Sequence, residues 1–268
     1  MPARMRAPMA DSVLTVATRN AVVYVRLARP LVRNAFNAEL IAQLHRIFER
    51  LDGDASVRAI VLSGEGPTFC GGADINWMRA SLELSQDENL ADARRMSQMF
   101  RAIDRCSKPV VARVHGAALG GGAGLAAVCD IAVACDDTVF GFTETKLGIL
   151  PAVISPFVLA KIGVSHARAL FLTGERFDAQ RAEAIGLIHD AVRMEDLDRT
   201  VERVIGEIKS ASPSAITAAK QTIAAVGAAT YEQTLDLTAQ AIAKQRTSPE
   251  GQEGLRAFLE RRKASWAP

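Results

Sequence analysis

Two glycine-rich tracts and one glutamate are the residues of this chain whose types and spacing could do chemistry. The first tract runs Gly64-Glu65-Gly66-Pro67-Thr68-Phe69-Cys70-Gly71-Gly72-Ala73-Asp74. The second runs Gly116-Ala117-Ala118-Leu119-Gly120-Gly121-Gly122-Ala123-Gly124. Each follows an apolar run that reads as a strand, and the second opens a helical pattern. Backbone without side chains at a helix N-terminus presents N–H groups that lack intrahelical acceptors, at the positive end of the dipole. Two such donors converging on one point would stabilise a carbonyl oxygen that becomes negative during reaction. Glu144 follows the short apolar strand Val139-Phe140. A carboxylate there can be held beside an apolar pocket with a raised pKa, which suits general acid–base work.

Plainer readings compete. Glycine clusters also serve tight turns and close packing, and a lone glutamate is often a solvated loop carboxylate. Gly122-Ala123-Gly124-Leu125-Ala126-Ala127 matches the dinucleotide fingerprint G-x-G-x-x-A. Its first glycine lies several residues beyond the strand end, however, whereas the fingerprint requires it at the turn. Cys70 has no identifiable partner base and reads as a packed thiol. His45, His115, His166 and His189 are dispersed, and Asp136-Asp137 reads as a polar turn, so neither a metal nor a bound cofactor is expected. No G-x-S-x-G elbow is present, which disfavours a serine hydrolase.

The elements that must position these groups are legible as pattern. Val22 to Leu27, Ala59 to Leu62, Pro109 to Val114, Ile131 to Ala134 and Val139-Phe140 read as strands. Leu40, Leu44, Ile47, Phe48 and Leu51 have helical spacing, with Asn37 as N-cap and Gly53 as terminator. Asn89 to Cys106 repeats that spacing, and Leu125 to Val128 is helical. Beyond Pro151 helical patterns dominate: Ala152 to Ile162, His166 to Leu172, Ala179 to Ile185 and Leu197 to Ile208. Ser212-Pro213 is a helix start, and Pro249 to Trp266 reads as a charged amphipathic helix. A soft boundary near residue 205 separates a core, residues 1–205, from a helical C-terminal region, residues 206–268.

Composition bounds the function. The 268 residues include 46 Ala and 19 Gly, and nine of those glycines lie between Gly64 and Gly124. A net charge of +2, from 32 basic and 30 acidic residues, argues against a nucleic-acid binder. Cys70, Cys106, Cys129 and Cys135 lack metal or disulfide spacing, which points to reduced thiols and an intracellular, cytoplasmic setting. The basic opening MPARMRAPMADS has no apolar stretch behind it, so no signal peptide is expected. Gly116 to Cys135 carries one charge but is too rich in Ala and Gly for a lipid-exposed span, so no membrane association is expected.

Several tracts resemble the crotonase superfamily of enoyl-CoA hydratases and isomerases. They are Phe69-Cys70-Gly71-Gly72-Ala73-Asp74-Ile75, Gly116-x-x-x-Gly120-Gly121-Gly122, and Phe140-Gly141-x-x-Glu144-x-x-x-Gly148-Ile149-Leu150-Pro151. Arg29-Pro30 with Asn34-Ala35-Phe36-Asn37 is similar to the family's N-terminal segment, and Glu253-Gly254-x-x-Ala257-Phe258-Leu259-Glu260-x-Arg262 to its C-terminal helix. The resemblance implies an α/β fold with a ββα spiral core, a helical trimerisation region, and a homotrimer or dimer of trimers. It also implies that the N–H groups of Ala73 and Gly121 hold the thioester oxygen of an acyl-CoA substrate while Glu144 acts as acid–base. Arg33, Ala35, Gly71, Asp74, Ile75 and Asn76 would line the CoA and acyl path, and Arg261-Arg262-Lys263 could meet the CoA phosphates.

One position departs from the family's pattern. Two-carboxylate hydratases carry a second Glu where this chain has Gly124, which leaves open hydration, isomerisation by a single Glu, or a catalytically silent CoA-binding subunit. Asp74 to Met78, Glu88 to Ala91, Thr143 to Gly148 and Pro151 to Phe157 resemble the bacterial methylglutaconyl-CoA hydratase branch, which serves leucine and acyclic terpenoid breakdown.

Overall fold

The computed structural model describes residues 13–267; the opening segment considered above as a leader, residues 1–12, lies outside the described residues. The antiparallel strands β1 (Leu14–Arg19) and β2 (Val22–Leu27) are joined through Asn20 and Ala21, both left-handed as a two-residue hairpin turn requires. Helix α1 (Ala38–Asp52) starts where its cap lies: the Asn37 side chain accepts from the Leu40 N–H. Its buried stripe is Leu40, Ile41, Leu44, Ile47, Phe48 and Leu51. Strand β3 (Ala59–Gly64) is buried along its whole length, as a central parallel strand must be. Helices α2 (Ile75–Ser81) and α3 (Gln86–Arg105) follow, the latter opened by a Ser85–Glu88 capping box.

Strand β4 (Val110–Val114), β5 (Ala117–Leu119), α4 (Gly121–Val128), β6 (Ile131–Cys135) and β7 (Val139–Gly141) succeed one another with little loop. The chain ends through α5 (Ser155–Thr173), β8 (Arg176–Phe177), α6 (Ala179–Ala184), β9 (Asp190–Val192), α7 (Met194–Ser210), α8 (Pro213–Ala228), α9 (Tyr231–Thr247) and α10 (Pro249–Leu259).

The main sheet has the order β1-β2-β3-β4-β6-β9, and every pairing except β1 with β2 is parallel. Alternation along the strands divides the core. Ile60, Leu62, Ala112, Val114 and Ala134 join α1, α3 and α4 on one face, while Ala59, Val61, Val111 and Val133 meet Leu197, Val201 and Ile205 of α7 on the other. The smaller sheet β5-β7-β8 stands beside the first.

Several expectations change. The apolar stretch from residue 116 to 135 divides among β5, α4 and β6. Among the described residues no helix is long and apolar enough to cross a membrane. The first two of the four helical patterns after Pro151 form one element interrupted at Gly163, whose φ of 68° and ψ of 170° are not helical. The last helix stops at Leu259 rather than Trp266, because the chain turns back there and Arg262 bonds to Glu253. Residue 205 lies inside α7.

One buried side chain ties the N-terminal loop to the first glycine tract. Asn34 is fully buried; its Oδ1 accepts from the Arg29 N–H at 2.9 Å, and its Nδ2 donates to the carbonyls of Glu65 at 2.9 Å and Thr68 at 2.7 Å. Asn34→Ala would leave the buried Thr68 carbonyl and the half-buried Arg29 N–H and Glu65 carbonyl without this partner, at a position with φ of 54°. It is expected to lower the unfolding free energy by about 2–4 kcal/mol, read by urea denaturation; an unchanged midpoint would contradict the assignment.

Candidate active site

Strands β3 and β4 run parallel, so both glycine tracts leave the sheet at the same edge. There their backbones bond to each other. Phe69 N–H donates to His115 O at 2.9 Å, Cys70 N–H to Ala117 O at 3.1 Å, and Leu119 N–H to Cys70 O at 3.1 Å. This approach excludes side chains: a Cβ on Gly122 would lie 2.3 Å from Cys70 O. Close packing is therefore a real role of the glycines, and it draws the ends of the two tracts together. A Cβ on Gly72 would likewise lie 3.0 Å from Leu119 O.

Two amides are left over at this junction. Phe36 bridges the first tract, with its N–H on Gly72 O at 2.7 Å and its carbonyl accepting from Asp74 N–H at 2.9 Å. Ala73, between those bonds, is exposed, and its N–H has no backbone acceptor among the described residues. Gly121 opens α4, so its N–H has no intrahelical acceptor, while the preceding Gly120 N–H is held by Gly141 O at 2.8 Å.

Glu144 comes to the same place from the second sheet. It begins the short 3-10 turn Glu144–Leu147 after β7, and a Cβ on Gly120 would stand 3.0 Å from its Oε1. Gly120 has φ of 52° and ψ of −122°, so both backbone and neighbour demand glycine there. The Glu144 Oε2 is buried without a hydrogen-bond partner among the described residues. Burial pushes the Glu144 carboxyl above the usual 4.5, only partly opposed by a bond to its own backbone. Gly121 thus follows Gly120 directly, Glu144 stands against Gly120, and the Ala73 amide belongs to the tract that packs on Leu119. Such a group can polarise a carbonyl oxygen and move a proton on an adjacent carbon.

The other candidate residues are placed as follows. Gly71 packs on exposed Arg33, donating its N–H to Arg33 O at 2.8 Å. Ala35 is buried, and its carbonyl accepts from the Arg29 guanidinium. Ile75 and Asn76 open α2 exposed. Asp74 turns its carboxylate inward instead. Oδ2 pairs with Arg29 at 2.7 Å, and Oδ1 accepts from Asn76 N–H at 2.8 Å, capping α2. Against the upward push of burial, the Arg29 guanidinium and the backbone N–H groups of Asn76 and Trp77 hold this carboxyl below its usual range.

Arg29 was thus missed as a brace of the Ala73 segment. The Arg29-Pro30 motif offered a signal, but not its partner.

The competing motifs do not meet here. Gly122 and Gly124 lie buried inside α4 rather than at a strand-to-helix turn. Gly124 packs on Ile154, a residue the sequence did not single out. Burial pushes the Cys70 thiol up to about 12. Arg262 is committed to Glu253 through two bonds of 2.7 and 2.9 Å and to Glu260 at 2.7 Å.

Known proteins share this arrangement of chain. Residues 17–268 match the family described as enoyl-CoA hydratase/isomerase. The chain is 30% identical to the short-chain-enoyl-CoA hydratase of Clostridium acetobutylicum, over 90% of this chain and 92% of that one. An enoyl-CoA hydratase structure from Shewanella pealeana superposes with a TM-score of 0.92 at 36% identity, covering 95% and 96% of the two chains. An enoyl-CoA hydratase/isomerase from Marinobacter aquaeolei gives 0.91 at 35% identity, covering 96% and 99%. The expected architecture, an α/β core of crotonase type followed by a helical C-terminal region, is the one observed.

The raised carboxyl has a consequence for stability. A group whose pKa is higher folded than unfolded contributes stability below its unfolded pKa and loses it as pH rises through the folded value. Glu144→Gln removes that loss. The variant is expected to melt a few degrees above the native chain in mildly alkaline buffer, the margin shrinking toward acid, as read by paired thermal melts. A native chain more stable than the variant in alkaline buffer would contradict the burial of an uncompensated charge.

Proposed function

The chain belongs to the enoyl-CoA hydratase/isomerase family, and from that premise we propose that it adds water reversibly across the α,β-double bond of an acyl-CoA thioester. The observation that carries this reading is the placement of Glu144 against Gly120, beside the first amide of α4. In this reading the N–H groups of Ala73 and Gly121 hold the thioester oxygen. The Glu144 carboxylate takes a proton from water as the water oxygen bonds to the β-carbon, and the π electrons move onto the held oxygen. The carboxylic acid so formed then gives its proton to the α-carbon. Proton and electron pair are both returned, and Glu144 ends as it began. A carboxylate made more basic by burial suits the first step. Arg33, Ala35, Gly71, Ile75 and Asn76 line the CoA and acyl path, with Asp74 bracing them from within.

The acyl group we propose is branched, of the 3-methylglutaconyl kind; the tracts from Asp74 to Met78 and Pro151 to Phe157 support that choice. Helices α8 and α9 bury no residue and expose Ile223, Leu235 and Ile242, which supports a trimer built through them. A second reading, migration of a double bond between the 3- and 2-positions, draws on the single carboxylate. Glu144 would remove a proton from one carbon and return it to another through the same held enolate.

Incubation with crotonyl-CoA, 3-methylglutaconyl-CoA and a 3-enoyl-CoA, followed by absorbance of the conjugated thioester, separates the readings. Hydration of 3-methylglutaconyl-CoA is expected, with Glu144→Gln lowering kcat by roughly 10²–10⁴-fold. The native rate should fall on the acid side with a midpoint above 4.5. Double-bond migration with no hydration of any thioester would establish the isomerase instead. Native rates in Glu144→Gln would remove Glu144 from the mechanism.

A further inference from the structure

Residue 124 stands one helical turn beyond Gly120: the Gly124 N–H donates to Gly120 O at 3.1 Å, the first bond of α4. Residues four apart share a helix face, and each Cα–Cβ bond tilts toward the helix N-terminus. A side chain at 124 would therefore lean back toward the first turn of α4, the turn that Gly120 precedes and Glu144 stands against. No such side chain could enter. A Cβ built on Gly124 lies 2.3 Å from Ile154 Cγ2, 2.8 Å from Ile154 Cβ and 3.2 Å from Phe100 Cζ.

Ile154 cannot readily move aside. It is 2% exposed and caps α5, its carbonyl accepting from the N–H groups of Phe157 at 3.2 Å and Val158 at 3.1 Å. Behind it Phe100 is fully buried and stacks on Phe157 with ring centroids 5.6 Å apart. Hydrocarbon from α3 and α5 thus closes the volume on that face of α4, and none of it can accept or give a proton.

We propose that Ile154 is a specificity-determining residue: it occupies the volume that a second carboxylate projecting from position 124 would need, and so commits the site to proton transfers made by Glu144 alone. This rests on the family chemistry proposed above. Gly124 and Ile154 are then a matched pair, in which neither can change usefully without the other.

A melting-temperature cycle tests the pair without any substrate. Gly124→Ala in the native background is expected to lower Tm by about 5 °C or more, the cost of overpacking. In an Ile154→Gly background the same change should leave Tm unchanged or raise it, since Ala is the better helix former once the space is open. If Ile154→Gly does not fold, Ile154→Ala removes the carbon at 2.3 Å but keeps the one at 2.8 Å, so there the loss caused by Gly124→Ala should shrink rather than vanish. Equal losses in both backgrounds, or no loss in either, overturn the proposal.

The functional half is read from pH profiles of kcat/KM. Gly124→Glu with Ile154→Gly should add a second carboxyl ionisation, whereas Gly124→Glu alone should add none. A double variant that keeps the native profile also overturns the proposal. Failure of the underlying reading would look different, because the native protein would then act on none of the three thioesters while the melting cycle could still show coupling.

Discussion

The site depends on a short piece of backbone pairing in which Cys70 is bonded on both sides, its N–H to Ala117 and its carbonyl from Leu119. Parallel pairing of β3 with β4 delivers both glycine tracts to one edge of the sheet, and this second pairing locks them together beyond the strand ends. Without it, the exposed amide of Ala73 and the first amide of α4 would have no fixed relation. The glycines are needed chiefly because two backbones pass so closely that a Cβ at Gly122 would overlap a carbonyl. Packing and chemistry are here one requirement met by the same residues.

Around that junction two carboxylates have opposite environments. Asp74 is ion-paired with Arg29 and accepts from the N-terminus of α2, so its charge is satisfied and its pKa is lowered. Glu144 has one oxygen beside Gly120 and the other buried without a partner among the described residues, and its pKa is raised. Environments that push paired titratable groups apart divide structural from chemical roles. The satisfied group holds the loop that carries the Ala73 amide, and the unsatisfied group is the one we propose trades protons.

Much of this was legible in the order of residues. The Asn37 cap, the buried run of β3 and the Ser212-Pro213 start are local signals, and the local backbone obeys them. Both glycine tracts were recognisable from type and spacing, whereas Glu144 stood out from other loop carboxylates through the family resemblance. What stayed hidden depends on contacts between distant segments. The Arg29–Asp74 pair spans 45 positions, and the freedom of the Ala73 amide exists only because Phe36 takes the bonds on either side of it. Gly124 was visible as a missing carboxylate, but nothing in its own neighbourhood announces that Ile154 fills the space. Helices α8 and α9 gave weak patterns for a related reason: within the chain by itself none of their residues is fully buried.

The central claim is that one carboxyl group, on one side of a held thioester, both takes the proton from water and supplies the proton to the α-carbon. The stereochemistry of hydration in deuterium oxide tests it most directly. The new C–O and C–D bonds are read by NMR coupling in the 3-hydroxyacyl product of an unbranched 2-enoyl-CoA such as crotonyl-CoA. Syn addition is the predicted result, because a single group reaches only one face of the double bond. Anti addition would require a second proton donor on the opposite face and would contradict the account.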